Sequence, residues 1–180
     1  GTVAFAVAGG TTGPKTGVVT VTNDDAVVLS IAAASEPENQ DGTLTFAVTI
    51  DASTGTATTS GADVTFNVTT SAGTATAGGT DYTTVPSSGA TGTISADGTS
   101  TNVTVAVTGD TINEDDETFT VTLDTPGGGL DATPTLNGAA TSATGTIEND
   151  DVLALVISDD TSTDESDGTL TFTVEPETGA

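Results

Sequence analysis

Apolar residues alternate with threonine, serine and asparagine along most of the chain, in seven short series. The series lie at residues 27–31, 44–50, 64–68, 92–94, 103–107, 119–123 and 145–147. A period of two places the apolar side chains of a series on one face of a β-strand. No segment has a convincing 3.6-residue period, so the pattern predicts an all-β protein.

The segments between the series carry turn and loop residues. Residues 52–62 and 126–141 are rich in Gly, Ser, Thr and Ala and predict longer loops, while Asp97-Gly98 predicts a tight hairpin. Seven short antiparallel strands with such connections predict an immunoglobulin-like β-sandwich of two sheets. The sequence has no Cys and no Trp, so any kinship with antibody domains is one of architecture.

The chain also repeats itself. Residues 20–48 resemble residues 146–174 without a gap, at an offset of 126 positions. A fixed period is the signature of a tandem repeat. We therefore predict tandem seven-stranded sandwich repeats, with 1–25 as the C-terminal strands of a preceding repeat, 26–151 as a complete repeat, and 152–180 as the N-terminal strands of a following one.

Composition narrows the function. The chain has 26 acidic residues, one basic residue (Lys15) and no His, which gives a net charge of −25. Such a chain lacks the cations that bind nucleic acid phosphates, and anionic membrane surfaces repel it. Most nucleophilic and general-base chemistry is missing, so we expect no enzyme, although hydrolysis by paired carboxylates is not formally excluded. No apolar run approaches the roughly 18 residues of a membrane span, so we expect no membrane insertion.

The carboxylates are clustered at predicted strand ends. The clusters are at 110–117 and 148–151, with Glu36, Glu38 and Asp81 as further candidates. Carboxylates that converge at one end of a sandwich without cationic partners repel one another. Ca²⁺ resolves this conflict, because it accepts about six to eight oxygen ligands in flexible geometry, whereas Mg²⁺ demands a small octahedral shell. The alternative is that the acidic loops only solvate the surface.

Three motifs resemble the Calx-beta repeats of sodium/calcium exchangers, an integrin tail and many bacterial surface proteins. They are Gly-Thr-Asp-Tyr at 79–82, Gly-Asp-Thr-Ile-Asn-Glu-Asp-Asp-Glu-Thr-Phe-Thr-Val-Thr-Leu at 109–123, and Gly-Thr-Ile-Glu-Asn-Asp-Asp at 145–151. The resemblance implies an immunoglobulin-like sandwich that binds Ca²⁺ in its end loops, with one or two ions per repeat.

By motif position, the resemblance also implies a set of metal ligands. They are Glu38, Asp81, Asp110, Ile112, Glu114, Glu117, Asn149, Asp150 and Asp151. Ile112 would contribute its backbone carbonyl, and Glu117 would be an outer or second-site ligand. The sequence departs from the family pattern at Gly109 and at Asn149, where acidic residues are usual, and Glu38 substitutes for an early Glu because Asn39 occupies that position.

The function predicted from these features is a calcium-binding structural repeat of an extracellular fibre, adhesin or matrix protein, on the cell surface or secreted. Ca²⁺ would rigidify the end loops and the junctions between repeats. The expected partners are neighbouring repeats or identical subunits, joined head to tail in a covalent array or by strand donation into a filament. The alternatives are a Ca²⁺-sensing regulatory domain and a glycan-binding module. The second is disfavoured because a sugar platform usually needs exposed aromatic residues, and the chain has one Tyr and no Trp.

Overall fold

The computed structural model describes residues 26–38, 42–51, 59, 61–85, 91–130, 133–159, 166, 168 and 170–177. The two strands predicted within 1–25, and most of the loop predicted at 52–62, lie outside the described residues. No helix in the described part of the chain is long and apolar enough to cross a membrane.

The described residues form eleven β-strands and no α-helix. The strands are β1 (Val28–Ile31), β2 (Ala34–Pro37), β3 (Thr43–Ile50), β4 (Val64–Ala72), β5 (Thr91–Ile94), β6 (Ser100–Ala106), β7 (Glu117–Gly128), β8 (Thr135–Leu136), β9 (Ser142–Glu148), β10 (Leu155–Ile157) and β11 (Val174–Pro176). Each of the seven alternating series falls on one of these strands. The predicted all-β class is confirmed.

Two sheets face each other across one core. One sheet has the order β6-β3-β1-β8, and the other has the order β2-β9-β7-β4-β5. Alternate residues of the strands are buried between them, as the period of two requires. Phe46 of β3 meets Phe119 of β7 edge to face, with ring centroids 6.0 Å apart, which joins the two sheets at the centre. The predicted sandwich is therefore confirmed.

Two strands go beyond the alternating pattern. The chain leaves the first sheet after β1 and enters the second as β2, which pairs in parallel with β9 from Ala34↔Gly145 to Pro37↔Glu148. The predicted loop at 126–141 is partly strand, because β7 extends to Gly128 and β8 pairs in parallel with β1. β2 has no large apolar residue and β8 has only two residues, so alternation gives no signal for either strand.

The hairpin predicted at Asp97-Gly98 is wrong in its topology. A tight turn is present, since the Gly98 N–H donates to the Ser95 carbonyl at 2.9 Å and Asp97 has a φ of 63°. However, β5 pairs with β4 whereas β6 pairs with β3. The turn therefore carries the chain from one sheet to the other, a distinction that the turn residues alone do not encode.

Beyond the sandwich, β10 and β11 pair antiparallel as a separate two-stranded sheet. Its apolar residues are exposed, in contrast to those of the sandwich. The assignment of this segment to a following repeat remains a prediction.

Candidate metal centre

Strand direction brings the acidic segments to one end of the sandwich, which we call the acidic pole. The parallel strands β2 and β9 end side by side, with Pro37 opposite Glu148. The antiparallel strand β7 begins there, with Glu117 opposite Ile147, and β4 ends beside it. β6 also ends at this pole, where the Val107 N–H donates to the carbonyl that precedes β3.

Glu38 is a buried carboxylate at this pole. It follows β2, and its N–H donates to the Glu148 carbonyl at 2.9 Å, which extends the strand pairing by one residue. Its side chain is 8% exposed. Burial raises the pKa of Glu38, and the negative charges of Asp110, Asp151, Asp150 and Glu114 raise it further. Predicted ligands from two separate loops therefore act electrostatically on the Glu38 carboxyl.

Glu117, the first residue of β7, has the most perturbed carboxyl at the pole. Burial raises the pKa of Glu117 from 4.5 to about 7, helped by a hydrogen bond to Asp81 and by the charges of Asp81, Glu114 and Glu38. A carboxyl with such a pKa is near half-protonated at neutral pH. The site holds more negative charge than its surroundings stabilise.

Asp81 lies in a compact loop between β4 and β5. The Thr76 N–H donates to its carboxylate, its own N–H donates to the Thr76 carbonyl at 3.2 Å, and the Thr108 N–H donates to the Asp81 carbonyl at 2.9 Å. Tyr82 fixes the loop on the core, because its ring is fully buried and stacks on Phe119 at 4.3 Å. Tyr82 thus lies inside the core.

Asn149 connects the two acidic loops. Its Oδ1 accepts the Glu114 N–H at 3.0 Å, its Nδ2 donates to the Asp151 carbonyl at 3.0 Å, and its N–H donates to Asp116 Oδ1 at 3.1 Å. The Asn113 amide also donates to the Asp151 carbonyl, at 2.5 Å. Asn149 is a predicted ligand, and the structure places its Oδ1 in a bond between the two loops and its Nδ2 in a bond within the 149–151 segment.

Asp151 supplies an unsatisfied acceptor. Its Oδ2 is buried and has no hydrogen-bond partner. Buried polar atoms without a partner are uncommon in native proteins, and a bound ion is one explanation for such an atom. Asp110 accepts the Ile112 N–H at 2.7 Å. Ile112 is 59% exposed, so its carbonyl is on an open loop, and its role as a ligand stays a prediction.

The side chains surround a cavity of about 10 Å³, roughly the space for one water-sized sphere. Its lining residues are Glu38, Asp81, Glu114, Asp115, Glu117, Ile147 and Asn149. Five of the nine predicted site residues thus line one cavity. Asp110, Asp150 and Asp151 do not line the cavity, but their charges act on Glu38, which does. Ile112 is not among the lining residues either.

The donor set fits a hard divalent cation. It consists of carboxylate oxygens, and the described residues contain no basic side chain to compete for them. Oxygen donors of this kind select calcium or magnesium rather than softer metals. Within the described ranges, no group of three or more carboxylates is placed closely enough to hold a metal ion without rearrangement. Mutual repulsion between unneutralised carboxylates favours such separation.

Three residues of the pole are not among the predicted site residues. Asp115 lines the cavity, while Asp116 and Asn113 hold the 149–151 segment. All three lie in the acidic run that the sequence displays. The tendency of Asp and Asn to cap loop N–H and C=O groups is the signal that could have identified their role.

Solved structures with the same fold were found by comparison. The apo-form Calx CBD1 domain is 20% identical, with a TM-score of 0.51 over 71% of this chain and 100% of that chain. The Calx CBD2 domain is 13% identical, with a TM-score of 0.55 over 72% of this chain and 91% of that chain. The calcium binding domain CBD12 of CALX1.1 is 19% identical, with a TM-score of 0.52 over 73% of this chain and 50% of that chain.

No curated protein matches the sequence. A family model does: the Calx-beta domain matches residues 22–151, which is well over half of the chain. The match includes the whole sandwich and every residue of the acidic pole. By fold and by sequence, the chain belongs to the Calx-beta family.

Proposed function

We propose that the acidic pole binds Ca²⁺, and that the sandwich is a structural module of an extracellular fibre, adhesin or matrix protein. Charge crowding at the pole is the observation that carries the proposal. Glu117 has a pKa of about 7, the pKa of Glu38 is raised, and Asp151 Oδ2 is buried without a partner. A bound divalent cation would supply the positive charge that this part of the chain lacks.

The residues that would hold the ion come from separate segments of the chain. The carboxylates are Glu38, Asp81, Asp110, Glu114, Glu117, Asp150 and Asp151, with the Ile112 carbonyl as a further donor. Asn149 acts differently in this proposal: it binds the 110–117 loop to the 149–151 segment and holds their carboxylates together. An ion shared by these segments would restrict their relative motion.

Two further observations support a structural role. Asp150 and Asp151 lead without a Gly- or Pro-rich linker into Val152 and the pair of strands β10 and β11, which we call the terminal hairpin. An ion at the pole would therefore also restrain this next segment. One similar solved structure contains CBD12 in a chain twice as long as the matched part, which accommodates an adjoining domain. The net charge of −25 and the Thr-rich strands suit an exported protein.

A calcium-sensing regulatory domain is the second candidate. It is supported by the similar folds of the calcium binding domain CBD12 of CALX1.1 and of the Calx CBD1 domain, which was solved in its apo form. The two candidates differ in what the ion does. A sensor changes shape on binding, whereas a structural module keeps its shape and gains stability.

Isothermal titration calorimetry tests the site, with Ca²⁺ and Mg²⁺ titrated separately into protein stripped by chelator. We expect heat of binding for Ca²⁺ and a much weaker response to Mg²⁺. Asp151→Asn should lose most of the Ca²⁺ response. Asp97→Asn is the matched control, because Asp97 is an exposed carboxylate at the opposite end of the sandwich and Asn tolerates its positive φ.

The absence of Ca²⁺ binding by the native chain would overturn the proposal. Small-angle X-ray scattering of the same samples then separates the two candidates. An unchanged radius of gyration with a raised melting temperature supports the structural module. A change in radius on adding Ca²⁺ supports the sensor.

A further inference from the structure

The terminal hairpin exposes an apolar face that resembles half of a sandwich core. The face is formed by Leu155, Ile157, Leu170, Phe172 and Val174, which are between 52% and 66% exposed. A contiguous group of large apolar residues on a soluble protein usually marks an interaction surface. We call it the hairpin face.

The pairing of the hairpin reproduces the pairing of β1 with β3. The sandwich pairs Ile31 with Val48, and the hairpin pairs Ile157 with Val174, each 126 positions further along the chain. The same offset relates the whole hairpin face to fully or almost fully buried residues of the sandwich. These are Leu29, Ile31, Leu44, Phe46 and Val48.

The structure also shows what covers those residues in the sandwich. β7 and β9 of the opposite sheet lie over β1 and β3. The Phe46 ring meets Phe119 at 6.0 Å, and Gly145 lies so close that a Cβ there would be 2.8 Å from Phe46 Cζ. The hairpin face is therefore shaped for a strand pair with the pattern of β7 and β9.

Residues 1–25 have that pattern in their sequence. Val3, Phe5 and Val7 alternate as the apolar residues of β7 do, and Asn-Asp-Asp at 23–25 repeats the three residues that follow β9. The structure does not describe this segment, so its complementarity is a matter of sequence. By sequence, it matches the strands that cover the corresponding residues of the sandwich.

Strand direction determines which copy can supply them. β1 begins at the end of the sandwich opposite the acidic pole, while the chain leaves β9 towards the hairpin at the acidic pole. Residues 26–38 span roughly 40 Å between the two ends, at about 3.3 Å per residue. Residue 26 and the connection from β9 to β10 thus lie at opposite ends of the sandwich. The N-terminal segment of a chain is therefore far from the hairpin of the same chain.

We propose that the hairpin face docks residues 1–25 of a second copy, so that copies join head to tail through a shared four-stranded sandwich. The joining surfaces are different on the two partners, so the association does not close on itself and extends into a filament. Strand donation of this kind buries apolar side chains of the hairpin that are exposed among the described residues. The inference does not depend on calcium binding at the acidic pole.

Complementation between two full-length variants tests the proposal. Phe172→Asp places a charge in the hairpin face, and Phe5→Asp places a charge among the apolar residues of the 1–25 segment. Each substitution should prevent its own surface from docking. Sedimentation velocity should show concentration-dependent polymers for the native chain and monomers for either variant alone. Mixed in equal amounts, the two variants should form a species of twice the chain mass and nothing larger, because only one competent pair of surfaces remains.

Thr173→Asp is the matched control, since Thr173 is exposed next to Phe172 and lies on the other side of the strand by alternation. This variant should polymerise like the native chain. Phe172 is outside the buried core of the sandwich, so its substitution should leave the main unfolding transition unchanged. A monomeric native chain, or polymers that persist in Phe5→Asp, would overturn the proposal.

Discussion

Glu117 shows how the acidic pole connects protonation to folding. Its pKa is about 7 in the folded chain, chiefly because of burial, against an ordinary value of 4.5. Folding therefore favours the protonated form. Its contribution to stability is fully present below pH 4.5 and is lost as the pH rises through about 7. Glu38 acts in the same direction, since burial and neighbouring carboxylates raise its pKa as well.

We therefore expect the calcium-free protein to melt at a lower temperature as the pH rises from about 5 to about 7.5 in chelator. Glu117→Gln should flatten this slope, because glutamine has no proton to lose. Differential scanning calorimetry at several pH values checks the expectation, with Asp97→Asn as the control that keeps the native slope. A melting temperature that rises with pH over this range would contradict the assignment.

Gly145 is a residue whose identity follows from packing. A Cβ at this position would lie 2.6 Å from Phe119 Cζ and 2.8 Å from Phe46 Cζ. Gly145→Ala therefore overpacks the centre of the core and should cost about 1–3 kcal/mol in the free energy of unfolding. Urea denaturation measures the loss.

Gly138→Ala is the control for that measurement, because nothing lies within 4 Å of the Cβ it would add. Gly145→Ala combined with Phe119→Leu should be less destabilised than the two single losses summed, since the smaller side chain makes room for the methyl group. If the losses of the two single variants simply add in the double variant, contact between the new methyl group and Phe119 is not the cause of the destabilisation.

At the scale of elements, alternation determines which segments become strands but not how the strands are arranged. All seven alternating series are strands because their apolar residues share one face. Ala34–Pro37 has no large apolar residue and escapes the pattern; it is a strand through its parallel pairing with β9. The prediction of a hairpin at Asp97-Gly98 is wrong because a turn motif does not specify which sheet the next strand joins.

The acidic pole is predictable to a similar extent. Motif positions identify carboxylates that the structure brings together around Glu38 and Glu117. They do not reveal that Asn149 and Asn113 hold the loops, because those bonds depend on where two loops meet in space. Residue type predicts the chemistry of a site better than it predicts the bonds that shape it.

Asn149 yields a prediction about the connection between elements. Asn149→Ala removes a bond to the Glu114 N–H and a bond to the Asp151 carbonyl, each typically worth about 0.5–1.5 kcal/mol. The variant should melt at a lower temperature than the native chain even in chelator, because these bonds do not require an ion. A variant that loses stability only when Ca²⁺ is present would show that Asn149 acts as a ligand instead.

At the scale of the whole molecule, the negative charge is almost without positive charge to balance it, since 26 acidic residues stand against one basic residue. A net charge of −25 on 180 residues opposes compaction, and the carboxylates at the acidic pole concentrate part of it at one end of the sandwich. The hairpin continues the chain directly from that end. We therefore expect neutralisation at the pole to affect both the stability of the sandwich and the freedom of the segment that follows it.

The stabilisation expected from Ca²⁺ binding can be estimated. A ligand at about 100 times its Kd stabilises the folded state by about 2.7 kcal/mol per site. For a domain of this size each kcal/mol corresponds to a shift of about 2–4 °C in Tm, so chelation should lower Tm by about 5–10 °C per site. Asp110→Ala and Asp151→Ala should each remove most of that response, since both carboxylates act at Glu38, while Asp97→Asn should retain it.

Monovalent salt should recover only part of the loss in chelator, because screening weakens long-range repulsion but acts less on partly buried charges such as Glu38. A melting curve that chelator leaves unchanged would mean that the acidic pole is only a solvated surface.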